Sequence, residues 1–464
     1  MKVPDDKSRR GFLRASSMLG MAVAFSPVTI AEAFADPKSK NASTEGNMSE
    51  SSGAKRASEQ TGDKNAIRPF HVNFPEADLA DLRRRIKSTR WPERETVTDA
   101  SQGLQLATIR ALTHYWGTEY DWRKCEAKLE ALPNFITEID GLDIHFIHVR
   151  SPHANALPLI MTHGWPGSFL EFIKVIGPLS DPEPHGARAE DAFDLVVPSM
   201  PGFGFSARPQ AAGWNPERIA GAWIELMRRL GYRRYVSQGG DWGALVTDVM
   251  GRQAPKGLLG IHVTTLLGAI ERPATPNMQT AVPPEVAKAL KNGEPAPAGL
   301  SAEEMIAYEG AKNFATIGSG FRAIQGTRPQ TIGYSLADTP AGLAAWFYEK
   351  FAAWTDTDGE PERELTKDEM LDDITLYWLT NTAASSARIY WEDNAHKTKG
   401  GEVLIPAAVS RFPREIIPVP RRWAERAYPN LVYYNELKKG GHFAAWEQPE
   451  LFAGEMRAAF RSLR

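Results

Sequence analysis

Five residues near the middle of the chain, Gly239-Gly240-Asp241-Trp242-Gly243, constrain its fold more than any others. Tyr235-Val236 just before them reads as a strand, and Leu245 to Met250 just after reads as a helix. A chain that passes from strand to helix so abruptly makes a sharp elbow. Its backbone segments run so close that only small residues fit two places before and two places after the central one. Such an elbow lifts its central side chain to the top of a sheet. Here that side chain is a carboxylate, where a serine hydrolase would have a hydroxyl. The bland alternative is an Asp that merely caps a helix.

The surrounding pattern supplies the sheet. Leu142 to Val149 alternates as a strand does, and Leu157 to Thr162 and Phe193 to Val197 are short apolar runs. Ile219, Trp223, Leu226 and Leu230 recur on one helix face. Strands alternating with helices predict an α/β fold with a mostly parallel sheet covered on both faces. With 464 residues, 42% of them hydrophobic, there is ample chain for a buried core and no case for a disordered or fibrous protein. From 268 to 395 the texture turns Pro-, Ala- and aromatic-rich, with helical stretches and no strand alternation. Val403 to Val409 and Leu431 to Tyr434 return to strand character, and Leu451 to Phe460 closes the chain as an amphipathic helix. The α/β core is therefore expected in two parts, 141–267 and 396–464, around a helical insertion at 268–395. Ahead of the core, 67–140 reads as a helical module: Pro75 suits a helix start, and Leu79, Leu82 and Ile86 follow at helical spacing. That texture continues to about Leu132.

Two further loops fall where chemistry needs them. His163-Gly164-Trp165-Pro166-Gly167 follows an earlier strand, ahead of the elbow in chain order. There it can supply one backbone N–H of an oxyanion hole, at Trp165, with the second at Trp242. A Gly/Pro turn is its bland reading. Gly440-Gly441-His442-Phe443 follows a late strand. The chain has ten histidines and most histidines do no chemistry, but His442 stands where a general base belongs. Glu415 follows the strand between them, and Asp241, Glu415, His442 is the nucleophile–acid–base order of a hydrolase elbow fold. Glu425 and Glu436 are rivals for the acid, each less well placed relative to a strand end.

Taken with Gln325-Gly326-Thr327-Arg328-Pro329 and Gly342-Leu343-Ala344-Ala345-Trp346, these motifs resemble the microsomal-type epoxide hydrolases, from about Ile67 to the C-terminus. The resemblance implies an α/β-hydrolase fold with a helical lid and an N-terminal helical module. It implies that Asp241 attacks an epoxide carbon to form an alkyl ester, and that His442, oriented by Glu415, activates the water that hydrolyses it. It also implies two lid tyrosines that protonate the opened ring. Tyr390 matches one, but Phe321 stands where the other belongs, and a phenyl ring has no proton to give. Tyr334 and Tyr308 are the candidates to replace it. Trp346, Phe347, Phe351, Trp354 and Trp378 suggest an apolar pocket. The expected partners are a small apolar epoxide and water, and the route needs no metal or organic cofactor. A haloalkane or haloacid dehalogenase on the same fold is the nearest alternative, with Trp N–H groups cradling halide. A non-catalytic binding protein on that fold is another.

The chain opens with an address. Arg9-Arg10 beside Phe12-Leu13 precedes a weakly apolar run from Met18 to Ile30 and then Ala33-Phe34-Ala35. This resembles a twin-arginine export signal, residues 1–35, with cleavage near Ala35 and the twin-arginine translocase as a transient partner. A kept anchor helix is the alternative. Residues 36–66, polar and rich in Ser, Lys, Glu and Gly, read as a disordered tether. The expected location is periplasmic or secreted. A single cysteine, Cys125, excludes an intramolecular disulfide and a multi-cysteine zinc site. A net charge of −3 gives no electrostatic reason to expect a nucleic-acid partner.

Overall fold

The structure, a computed structural model, describes residues 63, 65–266, 281–396 and 401–464. The expected export signal, nearly all of the expected tether and the first residues of the expected insertion lie outside the described residues.

Nine strands form one sheet: β1 (Arg68–Pro69), β2 (Asn134–Ile139), β3 (Leu142–Val149), β4 (Leu157–Thr162), β5 (Phe193–Pro198), β6 (Tyr235–Gly239), β7 (Leu258–Val263), β8 (Ala407–Arg411) and β9 (Leu431–Glu436). Their spatial order is β1-β2-β3-β5-β4-β6-β7-β8-β9. From β5 to β9 every pairing is parallel, and the three strands before β5 join antiparallel. The central strands are apolar runs rather than alternating ones, as strands covered on both faces must be. Leu159, Ile160 and Met161 of β4 and Val196 and Val197 of β5 are fully buried. Helices α4 (Ile173–Ser180), α5 (Pro216–Arg229) and α6 (Asp241–Gln253) connect the parallel strands. This is the predicted α/β fold.

Four strands differ from the sequence reading. The 67–140 segment forms α1 (Glu76–Lys87), α2 (Leu106–Thr118) and α3 (Trp122–Glu130), but also contributes β1 and β2. Strand β2 turns into β3 through Asp140-Gly141, with φ of 51° and 79°. Both left-handed residues belong to a two-residue hairpin turn, which Asp-Gly favours. Strand β7 also went unread, because Gly260 interrupts its apolar run. Finally, the strand expected at Val403–Val409 starts only at Ala407, after Pro406, which has no N–H to give a ladder.

Between β7 and β8 the described chain is helical, from Pro284–Asn292 through Ala383–Ala395. The N-terminal helices hold this insertion in place. On the lid helix Lys367–Thr380, Thr375 Oγ1 accepts from the Trp116 indole at 2.9 Å, and Asp372 accepts from the Tyr120 hydroxyl at 2.8 Å.

Candidate active site

The elbow forms as its composition predicts. Strand β6 ends at Gly239, and α6 begins at Asp241, whose φ is 49°. A non-glycine residue held there stores about 1–3 kcal/mol of backbone strain, which persists only when its surroundings impose it. The surroundings do. A β-carbon on Gly243 would lie 1.9 Å from the Thr162 carbonyl oxygen of β4, and one on Gly239 would lie 2.0 Å from the Gly243 carbonyl. The strand and helix cross at distances that no side chain survives.

The His163–Gly167 loop leaves the end of β4 and passes over Asp241. The Trp165 amide donates to Asp241 Oδ1 at 2.9 Å. A β-carbon on Gly164 would fall 2.4 Å from the same oxygen, so this approach also requires glycine. Trp242 follows Asp241 in the first turn of α6, where amides have no carbonyl four residues back. The loop is held from three sides. His163 accepts from the Met200 amide at 3.1 Å through Nε2, and burial pushes its pKa down to about 4, so the ring is neutral. From the lid, the Tyr377 hydroxyl donates to the Gly167 carbonyl at 2.7 Å, and Asp373 accepts from Ser168 at 2.6 Å. The sequence reading missed His163, Tyr377 and Asp373 as supports. Only the first lay inside a motif.

His442 and Glu415 come from the loops after β9 and β8. Those loops are clipped together: the Arg414 amide donates to the Gly440 carbonyl at 3.2 Å. His442 Nδ1 donates to Glu415 Oε1 at 2.7 Å, while Nε2 lies 3.4 Å from Asp241 Oδ2. All three side chains are buried. Burial opposes charge on His442, but the carboxylates of Glu415 and Asp241 outweigh it and hold the ring well above the ordinary histidine range. Glu447, which sequence reasoning did not single out, braces this loop. Its carboxylate accepts from the amides of Gly441 at 3.1 Å and Phe443 at 3.0 Å. Its signal was an acid five residues after His442. The rival acids serve elsewhere: Glu425 pairs with Arg421 at 2.8 Å, and Glu436 pairs with Arg411 at 3.0 Å.

The lid closes the site with rings. Tyr390 meets Trp242 edge to face at 4.7 Å between centroids and Trp165 at 5.8 Å. Phe321 stacks on Trp165 at 5.1 Å, with the planes 10° apart. Phe347 and Trp354 also reach the site, against Trp165 and His442 respectively. The expected apolar wall is thus smaller than the sequence suggested. Phe351 packs behind it on Phe443 and Trp446, and Trp378 turns to Arg85 of α1, because helical spacing sends successive aromatics to different faces. The tyrosines offered as substitutes for Phe321 are elsewhere too. Tyr334 is 70% exposed, and the Tyr308 hydroxyl donates to the Glu294 carbonyl. Among the described residues no group of three His, Cys, Asp or Glu is arranged to hold a metal ion.

Residues 67–172 match the family model described as the epoxide hydrolase N terminus, and 158–295 match that of the alpha/beta hydrolase fold. A Stigmatella aurantiaca protein that carries the epoxide hydrolase name is 54% identical over 86% of each chain. Epoxide hydrolase 1 of Sus scrofa is 37% identical, with 84% of this chain and 88% of that protein covered. The solved structure of the Aspergillus niger epoxide hydrolase superposes with a TM-score of 0.74 at 30% identity, covering 86% of this chain and 97% of that one.

Proposed function

The chain belongs to the epoxide hydrolase family and is an epoxide hydrolase, and from that premise we propose that it opens an apolar epoxide to a vicinal diol through an ester on Asp241. The observation that carries this reading is the division of labour between the two oxygens of one carboxylate. Oδ1 is held by the Trp165 amide, and Oδ2 faces His442. In the first step Oδ2 forms a bond to a ring carbon as that carbon's bond to the ring oxygen breaks. The electron pair stays on the ring oxygen, which takes the phenolic proton of Tyr390. In the second step water adds to the Asp241 carboxyl carbon while His442 takes its proton, its charge supported by Glu415. Negative charge then gathers on Oδ1, where the Trp165 and Trp242 amides serve as the oxyanion hole. Collapse breaks the bond from the carboxyl carbon to Oδ2, which leaves as the diol's second hydroxyl with the proton that His442 returns. The proton of the new carboxylic acid goes to the Tyr390 phenolate, so Asp241, His442 and Tyr390 are all restored. A carboxylate suits both halves, since it displaces at carbon and leaves an ester that water can cleave.

Family membership removes the ground for the dehalogenase and binding-protein alternatives. The test uses styrene oxide as probe. Asp241→Ala should abolish turnover. His442→Gln should still be alkylated but unable to hydrolyse the ester, so intact-protein mass spectrometry should show one substrate mass added. An unchanged mass, under conditions where the wild type turns over, would remove the covalent route. Export by the twin-arginine route to the periplasm or beyond is part of the same proposal and rests on the N-terminal residues alone.

A further inference from the structure

We propose that Lys350 is a positioning cation for the ring-opening step, its buried ammonium steadying the negative charge that leaves Asp241 for the lid side of the site. This rests on the two-step ester reading above.

Lys350 lies on the lid helix Pro340–Trp354, and its side chain is only 5% exposed. A lysine is rarely buried so far without a reason. Its Nζ sits in a cage of three rings, 4.5 Å from the centroid of Phe321, 5.7 Å from Trp354 and 5.8 Å from Trp346. Ring faces carry negative quadrupole and hold a desolvated ammonium well. Two of those walls are shared with the catalytic centre. Phe321 stacks on Trp165 and meets Tyr390 at 5.8 Å, and Trp354 meets His442 at 5.1 Å. The cation therefore stands one ring behind the groups that receive the opened epoxide.

Charge has to move toward it. Before ring opening, the negative charge is on Asp241, which the core helix α6 carries, whereas Lys350 is on the lid. Afterwards Asp241 is a neutral ester, and the charge is on the ring oxygen or, once the proton moves, on Tyr390. A fixed cation on that side stabilises the transition state more than the ground state, which is the condition for accelerating the step. Its carboxylate partner is the adjacent Glu349, which is 40% exposed, so solvent screens part of that charge and the buried ammonium keeps a net field. Phe321 makes the need plain: with one phenol where the resemblance leads one to expect two, hydrogen bonding supplies less of the stabilisation, and a nearby charge offsets part of the loss. Lys350 does not touch the reacting atoms; it acts through the field across Phe321.

The experiment follows the two steps separately in the full-length protein with styrene oxide. Ester formation is timed by intact mass in the His442→Gln background, and ester hydrolysis by single turnover with His442 intact. Lys350→Met keeps length and removes charge. It should slow ester formation on the order of tenfold, the scale of one unit charge acting across an intervening ring at intermediate dielectric. Hydrolysis should change far less, since there the negative charge on Oδ1 and the proton on His442 arise together and the cation's effects on the two largely cancel. Lys350→Arg should restore most of the rate. Glu349→Gln, at a half-exposed position that leaves the fold intact, should speed ester formation severalfold by freeing the cation's field. Equal slowing of both steps in Lys350→Met, with no rescue by arginine, would reduce Lys350 to packing and overturn the inference. So would unchanged ester formation in both Lys350→Met and Glu349→Gln. If His442→Gln forms no ester while Lys350 is intact, the covalent reading itself has failed and this inference falls with it.

Discussion

Tyr390 and Phe321 both lie against the Trp165 ring, and only one of them carries a hydroxyl. In the proposed mechanism, proton donation therefore concentrates on Tyr390. Losing one donor to a developing oxyanion costs roughly 100-fold or more in rate, so Tyr390→Phe should slow ester formation by at least that factor. Phe321→Tyr should speed it, because the new phenol enters the same ring cluster. Pre-steady-state alkylation of Asp241 in the three proteins checks both; wild-type rates in Tyr390→Phe would mean that another acid serves. His442 carries a second residue-scale prediction. In the free protein, Glu415 and Asp241 hold its pKa up against burial. Esterification removes the Asp241 charge, so the ring's pKa must fall in the intermediate, where a neutral base is required. The rate of ester hydrolysis should rise with pH and level off at a midpoint below the His442 titration seen by NMR in the free protein. A midpoint at or above that titration would contradict the coupling. Asp241, His442 and Glu415 were legible as residues because each lies in a loop whose place in chain order has one use in this fold. Lys350 and Glu447 were not, since a lysine or glutamate on an amphipathic helix looks the same whether it faces solvent or a cage of rings.

At the scale of elements, the elbow is a packing device before it is a catalytic one. Strand β4 and helix α6 approach so closely at Gly243 that a methyl group there meets the Thr162 carbonyl. Gly243→Ala should destabilise the fold by about 3 kcal/mol, at the upper end for overpacking, because the obstacle is backbone and cannot turn aside. Gly164→Ala is a subtler lesion. Its methyl would meet the Asp241 side chain rather than main-chain atoms, 2.2 Å from Cβ and 2.4 Å from Oδ1. It should lower the urea midpoint less than Gly243→Ala does, while lowering the alkylation rate. Equal losses of stability in the two variants would mean that both glycines serve packing alone. Helices α1, α5 and α6 were readable from apolar spacing, and the central strands from short apolar runs. Strand β2 was hidden by an isolated, half-polar pattern, although the Asp140-Gly141 pair after it was a hairpin signal. Strand β7 was hidden by Gly260, which is small because a β-carbon there would meet Leu463 and the Pro406 carbonyl.

For the whole molecule, buried ionisable groups set the pH at which the fold is strongest. Burial raises Asp373 to about 8, Glu447 to about 7 and Asp372 to about 6. A carboxyl with a raised folded pKa binds its proton more tightly in the fold, so stability falls as pH rises toward those values. His442, raised by its carboxylates, acts in the same direction. His145, His163 and His262 oppose below neutrality. Burial lowers them to about 3, 4 and 3, so the unfolded chain takes up protons near pH 6.5 that the folded one refuses, and stability falls on acidification. Above about pH 6 the histidines oppose less and less while the raised carboxyls and His442 lose their protons, so the melting temperature should decline from pH 6 to 8.5; a steady rise over that range in calorimetry would refute this balance. The proposed export route is tested at the same scale. Changing Arg9 and Arg10 to Lys should leave the protein in the cytoplasm, and unimpaired delivery of that variant would show the route to be wrong.

Local chemistry sufficed for the elbow, for the order of the three loops that carry Asp241, Glu415 and His442, and for the helical character of the described part of 268–395. Glycines at a strand-to-helix turn and the helical or apolar spacing of side chains act within a few residues, and a linear sequence displays them directly. What remained was settled by approach between distant segments. Which lid rings face Asp241, which of three glutamates meets His442, and how α2 and α3 grip the lid helix that in turn grips the Trp165 loop all depend on contacts beyond any local window, 27 positions apart for Glu415 and His442 and more than 200 for Trp116 and Thr375. The caged lysine is the clearest instance. Its burial exists only because Phe321 from one lid helix and Trp346 and Trp354 from another close around it, and no window of sequence contains both.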